Sequence, residues 1–158
     1  METPVIAYAG FWKRFAAYLI DSIVLSIVSL IIILPFIFVL GMGVALTAIS
    51  EEPEQAIPAI VGAIVGWLFM ALLLTVGQWL YFALMESSRQ QGTLGKMAVG
   101  IKVTDLNGNP VTFGRASGRY FAKIISGLTF GIGYIIAGFT DRKQALHDMI
   151  ASCLVLDK

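Results

Sequence analysis

From Ser22 to Ser50 the chain carries no charged residue, and from Ile57 to Met85 it carries none again. Each run exceeds the roughly 20 apolar residues that a helix needs to cross the hydrocarbon core of a bilayer. In hydrocarbon every backbone polar group must find its partner within the segment, so runs of this kind fold as helices. Two membrane-spanning helices are therefore expected, over about 11–48 and about 57–85. Just ahead of the first run stand Lys13-Arg14, and Asp21 lies two turns further in. A carboxylate there costs at least a few kcal/mol on insertion scales unless something pairs with it, which marks Asp21 as a functional or tightly bonded acid.

The composition agrees with that reading. Hydrophobic residues make up 58% and charged ones 13% of 158 residues, where a soluble domain is about half apolar and a quarter charged. The length suits a single membrane domain, 1–158. The first run is too long for the apolar part of a secretory signal and is interrupted by Asp21, so it is expected to stay in place as a span. Cys153 is the only cysteine and His147 the only histidine, which argues against a disulfide, a metal site or a redox motif, and no cofactor is expected.

Phe11, Trp12 and Tyr18 supply interfacial aromatics at the start of the first helix. Pro35 lies inside it, where it removes one backbone hydrogen bond. Gly62 and Gly66 have the spacing that permits close helix contact. The loop Ser50–Gln55 carries Glu51, Glu52 and Glu54 and no base. The segment 86–123 instead holds Arg89, Lys96, Lys102, Arg115, Arg119 and Lys123. Lys and Arg collect on the cytoplasmic side of spans, so the N-terminus and 86–123 are expected inside and the acidic loop outside.

Within 86–123, Ile101–Thr104 alternates, Asp105–Pro110 is turn chemistry with an Asn-Gly pair, and Val111–Phe113 could extend again, which reads as a small cytoplasmic β-hairpin. The aliphatic tail Cys153–Leu156 is a second candidate to pair with Val99–Thr104. A helix is expected after Thr112, with Arg115, Arg119 and Lys123 on one face. Arg115 and Lys123 read as lipid-headgroup contacts. The third apolar segment, 124–139, is short and broken by Gly127, Gly131, Gly133 and Gly138. A full span would put Arg142, Lys143 and His147 outside, so a re-entrant pair turning near Gly131–Gly133 is preferred, with the tail 140–158 returning inside. The fold class is thus an all-α membrane protein with two long spans, a short Gly-rich third segment and a small β-hairpin.

Arg14 and Asp21 face the same way but lie about 10 Å apart along the helix, too far for a direct bond. Asp21 is therefore expected to meet Arg119, Arg142 or His147, and Arg14 to reach the interface or another carboxylate. His147-Asp148 could relay protons or act as a bonded pair that fixes the fold. Gly92-Thr93-Leu94-Gly95-Lys96 lacks the spacing and preceding strand of a phosphate-binding loop. No nucleophile has a recognisable setting beside the single histidine, so an enzyme is not expected, and neither is nucleic-acid binding.

The blocks Gly10–Asp21, Gln91–Lys96 with Gly100–Val103, Arg119-Tyr120 and Gln144–Asp148 together resemble the RDD family of small prokaryotic membrane proteins. The resemblance maps the family's arginine and two aspartates to Arg14, Asp21 and Asp148; Met97 departs from the basic residue that often follows the Gly-Lys pair. It implies a multi-pass protein of the prokaryotic plasma membrane. It also implies transport, since some members are linked to sodium/proton exchange; Arg14, Asp21 and Asp148 from the resemblance, with Arg119 and His147 as candidate partners, make up a transport or ion-pair core. Two functions follow as expectations. One is proton-coupled cation transport with Asp21 as the intramembrane carboxylate, its titration tuned by burial and a neighbouring arginine. Three short segments enclose a pathway poorly, so this reading calls for a homo-oligomer, with protons and small cations as partners beside the lipid bilayer. The other is a non-transporting membrane module for partner binding, assembly or lipid sensing.

Overall fold

The computed structural model describes residues 7–49 and 53–158; Glu51 and Glu52 of the acidic loop lie outside the described residues. Helix α1 runs Phe11–Ile49, with Pro35 inside it, and a 3-10 turn at Pro53–Gln55 leads into α2, Ala56–Ser87. These are the two long apolar helices read from the charge-free runs, and both are long and apolar enough to cross a membrane.

The chain divides into two compact units. One comprises Val24–Gln78, the uncharged parts of α1 and α2 with the acidic connection between them. Here Gly66 lets the helices approach: a Cβ on it would touch Leu40 at 3.4 Å and Phe36 at 3.5 Å, and the Phe36 and Trp67 rings lie 6.4 Å apart. Gly62, its partner in the spacing, has open space around it. Leu34, Phe38, Leu68 and Leu72 are all exposed, a surface suited to lipid chains.

The other unit comprises the first turns of α1, through Ile23, and everything from Trp79 onward. After α2 come α3 (Leu94–Ala98), β1 (Ile101–Asp105), α4 (Phe113–Leu128), α5 (Ile132–Ile135) with a 3-10 turn (Ile136–Gly138), α6 (Leu146–Ile150) and β2 (Cys153–Asp157). Strand β1 pairs antiparallel with β2, Val103 opposite Val155. The tail is thus the partner of β1. Val111–Phe113 does not extend as a strand, because Asp105 closes the turn on itself: its Oδ1 accepts from the backbone N–H of both Asn107 and Asn109, at 2.8 Å each. Only a single bridge, Thr104 to Pro110, follows the turn. The outer edge of β2 is covered by the segment before α1, where Ala9 N–H donates to the Val155 carbonyl at 2.9 Å. Ile101, Val103, Cys153 and Val155 point into a small apolar core with Ala9, Ala17 and Ala83.

Helix α4 starts where Thr112 predicts, its hydroxyl accepting from Arg115 N–H at 3.3 Å. The third apolar segment is not a single helix. α4 ends at Leu128, the chain turns through Gly131 at φ +82°, and α5 with its 3-10 turn leaves at 119° to α4. A glycine takes that left-handed conformation without steric cost.

Candidate functional site

Five ionised side chains in the second unit form one chain of contacts. Arg14 on α1 bonds Asp148 on α6; Arg119 on α4 bonds Asp148 and, through its other side, Glu86 at the end of α2; Glu86 bonds Lys96 on α3. Arg119 is central: Nε donates to Asp148 Oδ1 and Nη1 to Glu86 Oε2, each at 2.7 Å. The guanidinium fork suits this role because its rigid donors point in fixed, separate directions. Arg119, Glu86 and Asp148 are almost wholly removed from solvent.

The remaining bonds hold this lattice to the backbone. Arg14 Nε donates to the Ala9 carbonyl at 2.9 Å and Nη2 to the Lys143 carbonyl at 2.5 Å. Asp148 Oδ2 accepts from Ala145 N–H at 3.1 Å, which caps the start of α6. Arg14 and Asp148 therefore meet although 134 positions separate them in sequence.

Asp21 stands apart from the bases. Oδ1 accepts from the Tyr81 hydroxyl and from Gly95 N–H, both at 2.8 Å, and Oδ2 from the Thr93 hydroxyl at 2.5 Å. The expected partners Arg119, Arg142 and His147 do not reach it. The reason is local: the first turn of α3 lies against the carboxylate, where Gly95 N–H donates to it directly and Leu94 N–H donates to the Tyr81 hydroxyl that also bonds it, at a helix end favourable for negative charge. Gly95 makes that approach possible, since a Cβ there would collide with the Ala17 carbonyl and lie 2.9 Å from Asp21 Cγ. Thr93 serves twice, donating to Asp21 and accepting from Lys96 N–H at 3.4 Å. The Gly-Thr-Leu-Gly-Lys segment is thus a clamp, with Asp21 of α1 at one end and Glu86 of α2 at the other.

His147 lies against a serine. Its Nδ1 is 3.2 Å from Ser126 Oγ and its Nε2 is 3.4 Å from Asp148 Oδ1. This serine–histidine–aspartate contact is sealed: Ser126 is fully buried and Gly133 packs directly over it, where a Cβ would come within 2.8 Å of Ser126 Cβ. Burial pushes the His147 pKa down to about 3, against the pull of Asp148, so the ring is neutral at neutral pH. For Asp148, burial works to raise the pKa, but Arg119 and Arg14 outweigh it and hold the carboxyl well below the usual range.

Of the other basic residues, Arg115 is exposed and reaches Asp105 at 4.0 Å. The Lys123 ammonium lies over the Phe82 ring, 4.1 Å from its centre, rather than pointing freely outward. Among the described residues, no three His, Cys, Asp or Glu side chains converge where they could hold a metal ion. Sequence reasoning named Arg14, Arg119, His147 and Asp148 but passed over Glu86, Lys96, Tyr81 and Thr93. Glu86 was legible as the one acid closing an apolar helix, and Lys96 as the one base in a Gly-rich turn.

Two apolar helices of spanning length, joined to a polar unit organised by buried ion pairs, define an integral membrane protein. The chain matches the RDD family over residues 8–152 and belongs to it. It is 40% identical over 160 residues to the uncharacterized protein YxaI of Bacillus subtilis (strain 168), covering all of both chains. It is 33% identical over 156 residues to the uncharacterized membrane protein YteJ of the same strain, covering 95% of this chain and 81% of that one. No solved structure matches the chain.

Two predictions follow from this geometry. Gly95→Ala will prevent α3 from closing on Asp21 and lower the yield of folded, detergent-stable protein, as read by size-exclusion profile and melting temperature. Lowering the pH below about 6.5 protonates His147 in the unfolded chain but not in the folded one until about pH 3. Stability will therefore fall by up to roughly 1.4 kcal/mol per pH unit across that window. Asp148 adds to the loss only once the pH drops below its ordinary carboxylate range. Thermal melts at pH 7.5 and 5.5 will show the decline in the wild type and a flatter response in His147→Asn.

Proposed function

We propose that this protein is a non-transporting module of the prokaryotic plasma membrane, whose charge-locked unit serves assembly or partner binding while the long helices anchor it. The observation that carries this reading is the saturation of the buried charges. Glu86, Asp148 and Arg119 each meet at least two opposite charges, and Asp21 receives three hydrogen bonds. An ion carrier must release and rebind its cargo, and a lattice bonded this fully resists such exchange. Replacing buried ion pairs by apolar residues is often neutral for stability, so their value lies more in specifying one arrangement of helices. The sealed Ser126–His147 contact favours a non-catalytic reading for the same reason.

Proton-coupled cation transport is the second reading, and one observation favours it. Among the described residues, Asp21 is the one buried carboxylate whose bonded partners are two hydroxyls and an amide and include no cation. Such an acid could exchange a proton for a cation if the α3 clamp opened. That cycle would need a homo-oligomer to complete a pathway.

Asp21→Asn separates the two. Its oxygen can keep the bonds from Tyr81 and Gly95, and its amide can donate to Thr93, so the variant will fold with a melting temperature within a few degrees of wild type. In proteoliposomes carrying a pH-sensitive dye and imposed Na⁺ or K⁺ gradients, the module reading expects no flux above empty vesicles from either protein. Cation-dependent flux in the wild type that vanishes in well-folded Asp21→Asn would establish exchange instead.

The charge distribution further supports an N-terminus in the cytoplasm. With Cys153 replaced by Ala, an impermeant maleimide applied to intact cells will label Glu54→Cys and leave Asn107→Cys unlabelled until the cells are opened. The reverse pattern would invert the orientation.

A further inference from the structure

An open groove of about 330 Å³ lies between the start of α1 and the end of the 3-10 turn, lined by Gly10, Phe11, Trp12, Ile135, Gly138, Phe139 and Lys143. Its walls are mostly apolar and its aromatic rims face outward: Trp12 is 76% and Phe139 84% exposed. Large rings left uncovered at the entrance of a spanning helix belong at the headgroup level of a bilayer. The groove also has a cationic end. The Lys143 ammonium donates to the Gly138 carbonyl at 3.1 Å, which fixes it at the groove and leaves further N–H donors for a ligand. The Lys143 backbone is itself tied down, its carbonyl accepting from Arg14, so the cation is carried by the charge lattice. Arg142 and Asp141, both exposed, do not line the groove, so Lys143 is the one charged side chain in its lining.

We propose that this groove is a binding site for an anionic phospholipid, with the headgroup phosphate at Lys143 and an acyl chain along Phe11, Ile135 and Phe139. Charge complementarity selects the occupant: one lysine and no acid in the lining, beside a spanning helix, suit an anionic headgroup, and the apolar side chains suit the chain attached to it. Gly138 keeps the groove open, because a Cβ there would already lie 3.9 Å from Phe11 Cβ and any larger side chain would project into the space. The site is independent of which function the protein performs.

The test uses the full chain with Trp67 and Trp79 changed to Phe, leaving Trp12 as the reporter. It is reconstituted in vesicles containing phosphatidylglycerol or phosphatidylcholine brominated on the acyl chains, at equal mole fraction. Brominated phosphatidylglycerol will quench Trp12 with about fivefold higher apparent affinity, the scale expected of one lysine near an anionic headgroup. Lys143→Gln will remove the preference by removing the charge, and Gly138→Ile will weaken quenching by filling the groove. Equal quenching by both lipids, or a preference that survives Lys143→Gln, would overturn the proposal. Absence of quenching by either lipid would do so too, since protein would then cover the groove. On the unaltered chain, native mass spectrometry after detergent exchange will retain phosphatidylglycerol over phosphatidylcholine; equal retention counts against the site even where a variant fails to fold.

Discussion

The bridge that Arg119 makes between Glu86 and Asp148 organises the polar unit. It joins α4 to the end of α2 and to α6, and Asp148 in turn binds Arg14 on α1. Each of these ions would cost several kcal/mol to bury alone. Together they satisfy one another, and the arrangement holds only while all four helices keep their places. A lattice of this kind tolerates few alternatives, because shifting one helix by a turn would strand a charge in a dry interior.

Asp21 solves the same problem differently. Hydroxyls and a helix N-terminus take the place of a counter-ion, so α3, only five residues long, does work usually given to an arginine. That substitution depends on Gly95, the position where any side chain would block contact between α3 and α1. Asp21 and Lys96 thus belong to one construction: the clamp that binds the acid of α1 also delivers the base for Glu86. A mechanism that moved Asp21 would disturb Lys96, and through it Glu86 and Arg119.

Much of the molecule was legible in its sequence. The charge-free runs announce their helices within a few residues, Thr112 marks the start of α4, and the glycines after Leu128 mark the break that keeps 124–139 from forming one helix. Asp21 could be singled out because an ionisable group in apolar surroundings is costly and demands partners, whereas Arg14 and Asp148 were marked by the family resemblance and Arg119 and His147 only as candidate partners. The pairing could not. Spacing along one helix places Arg14 and Asp21 on the same face, yet the two take separate partners from distant segments.

The sequence by itself determined the class of protein, since hydrocarbon allows a long uncharged run little choice but a helix. It also marked Asp21 as an acid that would have to be neutralised, though not Glu86 or Lys96. Tertiary structure alone decided who neutralises whom. A carboxylate can accept from an arginine, a hydroxyl or a helix N-terminus, and which arrives depends on close approaches such as that of Gly95 to Ala17. It likewise chose the tail over Val111–Phe113 as the partner of β1, because Asp105 spends its acceptors closing a tight local turn and leaves the strand edge to Cys153–Asp157.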